Sequence, residues 1–255
     1  MVNNILEATK IINSSKYIVA VTGAGISVDS GVPTFQGTDG LWTRFGKPSL
    51  NSYSDFIKDP DKWWLKEIKY TSSPYINELR RTLELAKPNI GHKILKLMED
   101  LGLIKMLITQ NIDGLHQDVG SRNLIEIHGS RKKFRCIGCN WRKDRGENKI
   151  SKIPDPCMKC GKIMKFDSVM FGEPIPKDVL NSSRDSINYA DCVLSIGTSS
   201  TVRPAAGLFW IAKSQNAKLI EINISPTKLT KFCDVVIKGS TSEILPKLFD
   251  SLENH

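Results

Sequence analysis

Short apolar, β-branched runs alternate with stretches of helical periodicity along most of this 255-residue chain. Residues 16–22, 104–109, 124–127, 192–196, 219–223 and 235–237 each read as a buried strand. Helical patterns accompany them: one carries Ile5, Leu6, Ile11 and Ile12, and others cover 89–101, 176–189, 204–214 and 242–252. Strands that alternate with helices run parallel, joined by right-handed crossovers. Such strands are covered on both faces, which is why they carry continuous apolar runs. The expected fold class is α/β: a Rossmann-like parallel sheet with helices on both faces. In such sheets ligands bind beyond the carboxyl ends of the strands.

Two stretches break the alternation. Residues 45–88 hold Tyr53, Phe56, Trp63 and Trp64 among helical patterns with no strand between them, and read as a helical insertion. Residues 131–165 carry four cysteines, Cys136-x2-Cys139-x17-Cys157-x2-Cys160, the spacing of a zinc ribbon. Four thiolates fill a tetrahedral shell and leave no position for a reactive water, so the expected Zn2+ is structural. The domain expectation follows: a discontinuous body (1–44, 89–130 and 166–255), with a smaller lobe built from the insertion at 45–88 and the zinc module at 131–165.

Cys192 and Cys233 lie in strand-like runs and read as buried thiols. The composition, 40% hydrophobic and 25% charged, excludes a disordered or fibrous chain. No apolar run approaches the roughly 20 residues that span a bilayer. The N-terminus lacks a basic start followed by an apolar stretch, so a cytoplasmic location without membrane association is expected. Charge is concentrated: residues 131–165 hold 12 Lys or Arg against three acids, a net +9 equal to the formal charge of the whole chain. A basic zinc module attracts phosphate or carboxylate partners, DNA or chromatin-associated targets among them. The alternative is a solvated face that aids solubility.

Candidate site residues cluster at strand ends. Gly23-Ala24-Gly25 follows the first strand, where small residues let backbone N–H groups approach a pyrophosphate. The third glycine of the usual dinucleotide fingerprint is replaced by Val28. Gln110, Asn111, Ile112 and Asp113 begin where the strand 104–109 ends. His128 closes the run 123–128 and precedes Gly129, so a strand delivers an imidazole to the crevice. With an ordinary pKa of about 6.5, an imidazole accepts a proton at neutral pH. The other histidines, His92, His116 and terminal His255, suit structural roles.

Taken in order, these segments resemble the sirtuin family of NAD-dependent protein lysine deacylases, over roughly residues 17–245. The continuation Ile26-Ser27-x-x-Ser30-Gly31-Val32-Pro33-Thr34-Phe35-Gln36-Gly37, with Gly40-Leu41-Trp42 after it, is similar to the sirtuin cofactor loop. The resemblance implies that Gly23, Ala24, Gly25, Ser27, Thr34, Phe35, Gln36 and Trp42 bind NAD, Phe35 covering the nicotinamide end and Ser27 lying near its ribose. It further implies Gln110 on the ribose hydroxyls, Asn111 on the ribose and the attacking water, and Asp113 on the carboxamide, with Ile112 between them. Gly197, Thr198 and Ser199 resemble the second phosphate and ribose turn. Asn223 and Ser225 stand where the adenosine ribose is expected, and Thr241 where the backbone borders the adenine. Val169, Phe171, Gly172 and Glu173 resemble the strand that pairs with substrate peptide. His128 resembles the general base, with Asn111 and Asp113 completing the catalytic set. One departure is clear: the family usually has arginine where this chain has Gln36, so weaker cofactor binding is expected.

The implied reaction consumes NAD to deacylate a protein lysine. The amide oxygen attacks the ribose carbon as nicotinamide leaves, giving an alkylimidate; His128 then takes a proton from the ribose hydroxyls, and water releases lysine and O-acyl-ADP-ribose. Acetyl is the expected group. Longer or acidic acyl groups, succinyl or malonyl, are the alternative: Val32-Pro33-Thr34-Phe35 resembles the branch that removes them, yet its Tyr-x-x-Arg pair is missing, with Lys66 and Lys69 standing roughly there. Mono-ADP-ribosyl transfer to protein, and a nucleic-acid-binding zinc protein with a degenerate nucleotide pocket, are the competing functions.

Overall fold

The computed structural model describes residues 2–37, 39–146 and 150–254. Outside them lie His255 and residues 147–149 of the expected zinc module, with Glu147 and Lys149 of its charge count, as well as Met1 and Thr38 of the expected body. The elements run α1 (Val2–Ser14), β1 (Ile18–Thr22), a 3-10 helix (Ala24–Ser30), α2 (Leu41–Phe45), α3 (Ser52–Lys58), α4 (Pro60–Ile68), α5 (Pro74–Leu85), α6 (Ile90–Asp100), β2 (Ile104–Thr109) and α7 (Leu115–Asp118). They continue with β3 (Leu124–Glu126), β4 (Lys133–Cys136), β5 (Arg142–Asp144), β6 (Met164–Phe166), α8 (Lys177–Asn188), β7 (Cys192–Ile196), α9 (Gly207–Ser214), β8 (Lys218–Asn223), β9 (Val235–Lys238) and α10 (Thr241–Glu253).

Six strands form one parallel sheet in the order β3-β2-β1-β7-β8-β9. Alternation within β1 explains why helices are needed on both faces. Ile18 and Ala20 enter one core with Ile5 and Ala8 of α1, Leu95 of α6 and Leu248 of α10. Val19 and Val21 enter the other with Ile187 of α8 and Leu208 of α9. Every residue of β1 and β7 is buried, which accounts for their unbroken apolar sequences. The strand order reverses between β1 and β7, so the crevice of this sheet opens above those two strand ends.

The segment between α2 and α6 contributes only helices, each with a readable start. Asp59 accepts the Lys62 N–H ahead of Pro60 in α4, and Pro74 begins α5. The zinc module adds a separate antiparallel sheet, β5-β4-β6. Insertion and module meet in an aromatic core of Phe56, Trp64, Phe134 and Phe166, all buried, with Trp63 at its edge. Trp64 and Phe166 have ring centroids 5.0 Å apart, and the Trp64 Nε1–H donates to the Met164 carbonyl at 3.1 Å. A tryptophan buried with its one donor satisfied in this way contributes several kcal/mol to the joint, of order 3. Two elements straddle the expected domain limits, α2 at 44/45 and β6 at 165/166. Among the described residues no helix is long and apolar enough to cross a membrane.

Candidate active site and zinc centre

The end of β1 and the end of β7 interlock backbone to backbone. Gly23 N–H donates to the Ile196 carbonyl and Gly25 N–H to that of Gly197, at 3.0 and 2.8 Å. A Cβ on Gly25 would lie 2.7 Å from Gly197 Cα, and one on Gly197, itself at φ +57°, would lie 2.7 Å from Ile26 N. Side chains are excluded here by main chain, not by flexible neighbours. The residues after Gly23 form a 3-10 helix, and Gly31, at φ +83°, ends it. Asn89 fastens that segment: its side-chain amide donates to the Ile26 carbonyl at 2.7 Å while its oxygen caps α6.

A cleft of about 1990 Å3 opens above these ends, larger than the 300–1,000 Å3 typical of small-molecule pockets. Of the expected cofactor residues, Gly23, Ala24, Gly25, Thr34, Phe35, Gln36, Trp42, Gln110, Asn111, Ile112, Gly197, Thr198, Ser199, Asn223, Ser225 and Thr241 line it, together with His128. Ser27 and Asp113 do not. Both are buried behind Asn111, where Ser27 Oγ donates to Asp113 Oδ2 at 2.8 Å and Leu115 N–H occupies Asp113 Oδ1 at 3.0 Å. Burial holds the Asp113 carboxyl above the usual carboxylate range. Asn111 spends its amide N–H groups on the Gly23 carbonyl and Ser27 Oγ, both at 3.1 Å, which leaves Oδ1 as the acceptor available to the cleft.

Behind this layer two histidine rings lie 4.8 Å apart. Thr22 Oγ1 donates to Thr109 Oγ1 at 2.9 Å, so at 3.1 Å it accepts from His116 Nε2. His92 Nδ1 lies 3.3 Å from the Asn89 N–H and 3.1 Å from Asn89 Oδ1, and its Nε2 lies 3.5 Å from Ser27 Oγ. Burial lowers both pKa values, that of His92 to about 4 and that of His116 well below its ordinary value, so both rings are neutral at pH 7.

His128 is half-buried at the end of β3. Its Nδ1 lies 3.0 Å from the Gln110 carbonyl, an acceptor only, so Nδ1 carries the proton and Nε2 keeps its lone pair. Burial lowers its pKa, against a smaller upward pull from the Gln110 bond. The next residue, Gly129, cannot carry a side chain: at φ +70°, a Cβ there would lie 2.2 Å from the Asp167 carbonyl oxygen. An imidazole so held can take a proton without first losing one.

Val169, Phe171, Gly172 and Glu173 also border the cleft. The expected strand here is an irregular segment, joined to the site by the Val169 N–H bond to the His128 carbonyl at 2.8 Å. Glu173 turns its carboxylate away from the groove, to Arg135, Lys165 and the Met170 N–H. Lys66 borders the cleft and Lys69 does not. Five cleft cations were given no site role by the sequence, Arg44, Lys47, Arg81, Arg131 and Arg203. Arg203 had a usable signal, lying just past the Gly197-Thr198-Ser199 turn, whereas Arg131 was counted only as part of a basic segment.

Two unpaired features fit an adenine dinucleotide. Thr241 Oγ1 is buried at the cleft with no partner among the described residues, and Asn111, also a cleft residue, has an Oδ1 that accepts no hydrogen bond among them. The four module cysteines fit zinc. Their Sγ atoms lie within 4.8 Å of one another, with Cys136–Cys160 at 3.4 Å and Cys139–Cys157 at 3.7 Å. A tetrahedron of roughly 2.3 Å Zn–S bonds has edges of about 3.8 Å. Backbone N–H groups of Gly138 and Lys159 donate to Cys136 and Cys157 Sγ, neutralising part of the thiolate charge. The module's positive charge, by contrast, is largely spent. Arg131, Lys132, Lys133, Arg135, Arg142, Lys152 and Lys165 all make ion pairs, most with acids outside the module. Lys143, Arg145, Lys159 and Lys162 make none among the described residues.

The Sir2 family model matches residues 23–204. An Archaeoglobus fulgidus protein named NAD-dependent protein deacylase 1 is 41% identical over 240 residues, covering 94% of each chain. A solved Sir2 homolog–NAD complex superposes with a TM-score of 0.80 at 38% identity, covering 97% of this chain and 93% of that one. Sir2Af2 bound to a myristoylated histone peptide gives 0.70 at 32% identity, covering 100% and 98%.

Zinc content by atomic absorption is expected at one ion per chain, falling to near none in Cys157→Ser with a lowered thermal midpoint. Full zinc occupancy in that variant would contradict the assigned ligand set.

Proposed function

This chain belongs to the Sir2 family and is an NAD-dependent protein-lysine deacylase, and from that premise we propose that His128 is its general base and acetyl the group it removes. The observation that carries the assignment is the His128–Gln110 bond, which leaves Nε2 basic at the cleft. NAD, when bound, supplies a glycosidic bond whose cleavage frees nicotinamide and opens the ribose carbon to the substrate amide oxygen. The protein's part is positional and protonic. His128 Nε2 takes a proton from a ribose hydroxyl, and Asn111 Oδ1 orients the ribose and the attacking water. Asp113 and Ser27 serve by holding Asn111 from behind. Phe35 and Trp42, with ring centroids 5.8 Å apart, shield the reacting centre from bulk water.

The same reading assigns NAD to the cleft residues named above and the peptide backbone to 169–172, which gains a strand partner when the substrate adds along it. Glu173 holds that segment to the zinc module rather than touching the peptide. The division into a discontinuous NAD-binding body (1–44, 89–130, 166–255), a helical insertion (45–88) and a zinc module (131–165) belongs to the proposal, supported by the two separate sheets. Docking on DNA or chromatin would fall to Lys143, Lys159 and Lys162. A thiolate zinc site and two further reduced cysteines suit a reducing compartment, the cytoplasm.

Mass spectrometry of an acetyl-lysine peptide incubated with NAD is expected to give a product lighter by one acetyl; a heavier, ADP-ribosylated product would sink the reading. His128→Ala should reduce kcat by about 10²-fold or more. The active form of His128 is neutral and its pKa is lowered, so activity should fall as pH drops through a midpoint below 6.5. A midpoint above 6.5 would contradict the assignment.

Gln36 reaches Thr201 Oγ1 at 3.3 Å, beside the loop that carries Arg203. Arg203 makes no ion pair among the described residues and supplies the cation that position 36 lacks. Arg203→Ala is expected to raise KM for NAD about 5-fold with kcat little changed, and Gln36→Arg to lower it by a similar factor. An unchanged KM in Arg203→Ala would remove Arg203 from the cofactor site.

A further inference from the structure

A second cavity, of about 70 Å3, lies between the helical insertion and the zinc module and shares Glu67, Ile112, Arg131 and Phe166 with the wall of the cleft. Arginine dominates it. Arg80 of α5 is only 6% exposed; its guanidinium lies 4.3 Å over the Tyr70 ring, with Nη2 2.9 Å from Glu67 Oε2. Neither of its terminal nitrogens has a hydrogen-bond acceptor of adequate geometry among the described residues. Arg131 donates to the same Glu67 oxygen at 3.0 Å, so one carboxylate atom serves two guanidinium groups. Arg145 contributes a third, whose buried Nε has no acceptor among the described residues.

The other charged groups on this wall are otherwise engaged. Lys132 is paired with Asp118, and both Asp113 oxygens are taken by Ser27 and Leu115. Glu84 is exposed at the rim and makes no ion pair among the described residues. Three guanidinium groups face Glu67 and, at the rim, Glu84, an excess of at most one positive charge, but the nitrogens of Arg80 and Arg145 that lack acceptors leave hydrogen-bond donors to spare. Unmatched donors in a low-dielectric site are costly, and planar guanidinium forks suit tetrahedral oxyanions. A water needs roughly 10–15 Å3 of such space, so the cavity exceeds a single water and is too small for a nucleotide.

We propose that this cavity binds a small tetrahedral oxyanion such as inorganic phosphate, held by Arg80, Arg131 and Arg145. A tetrahedral oxyanion supplies the acceptors that the Arg80 and Arg145 nitrogens lack, and the three arginines offer donors from two structural units. Because Ile112 and Asp113 also form the wall, the bound anion braces the loop that carries Asn111 from the side opposite the cleft. The site stands on its own residues and does not depend on the deacylase reading.

The test is calorimetric titration of the full chain with inorganic phosphate, against chloride at equal ionic strength. One phosphate per chain is expected, retained in the presence of NAD. Arg145→Glu should weaken it at least 10-fold while leaving the thermal midpoint in chloride within about 2 °C, since Arg145 makes no ion pair among the described residues. Arg145→Gln, which removes the charge without reversing it, should weaken it in the same direction and replaces the first variant if that one fails to fold. No saturable heat, binding unchanged in both variants, or displacement of the phosphate by NAD would overturn the proposal. The last two outcomes would place the anion in the cofactor cleft instead.

Discussion

The chemistry proposed for this protein rests on one hydrogen bond, the one His128 Nδ1 gives to the main-chain carbonyl of Gln110 at 3.0 Å. It joins the ends of two neighbouring strands, β2 and β3, and sets the proton on Nδ1, leaving Nε2 unprotonated. A carbonyl cannot donate, so the tautomer follows from the fold and needs no charged partner. Such a partner would raise the imidazole pKa, whereas burial here lowers it, so the ring is ready as a base at neutral pH. Gly129 belongs to the same turn, where the chain at Asp167 leaves no room for a side chain next to His128.

The remaining site is rigid because its polar groups satisfy one another in a fixed direction. Protons run from Thr22 to Thr109, from His116 to Thr22, and from Asn111 to Ser27 to Asp113. Each side chain is left one role, and Asn111 is left its oxygen. A second set of contacts reaches the peptide segment. Arg135 precedes the zinc ligand Cys136 and bonds Asp167 at 2.7 Å, and it shares Glu173 with fully buried Lys165. Zinc binding and the geometry of residues 168–173 are thereby mechanically linked, and removing one partner of this buried cluster would leave an uncompensated charge.

Much of this was legible in the sequence because the relevant signals are local. The runs 104–109 and 192–196 mark strand limits that the structure reproduces, since apolar β-branched runs have few other uses. The two Cys-x-x-Cys pairs specify their cluster through spacing alone. The less legible parts depend on contacts between distant segments. Ser27 and Asp113 sit behind the cleft because each finds its partner in the other, 86 residues away. Glu173 faces inward because Arg135 and Lys165 await it, and the basic segment loses most of its free charge to acids brought in by folding. The 3-10 helix after Gly23 reflects the approach of Gly197, a contact that no local pattern announces.

The central claim concerns the protonation of one ring, and 15N NMR of histidine-labelled protein reads it directly at pH 7. The account predicts that His128 shows a protonated Nδ1 and an unprotonated Nε2, with the Nε2 signal shifting when NAD and acetylated peptide are added. A proton on Nε2, or an imidazolium at that pH, would contradict it.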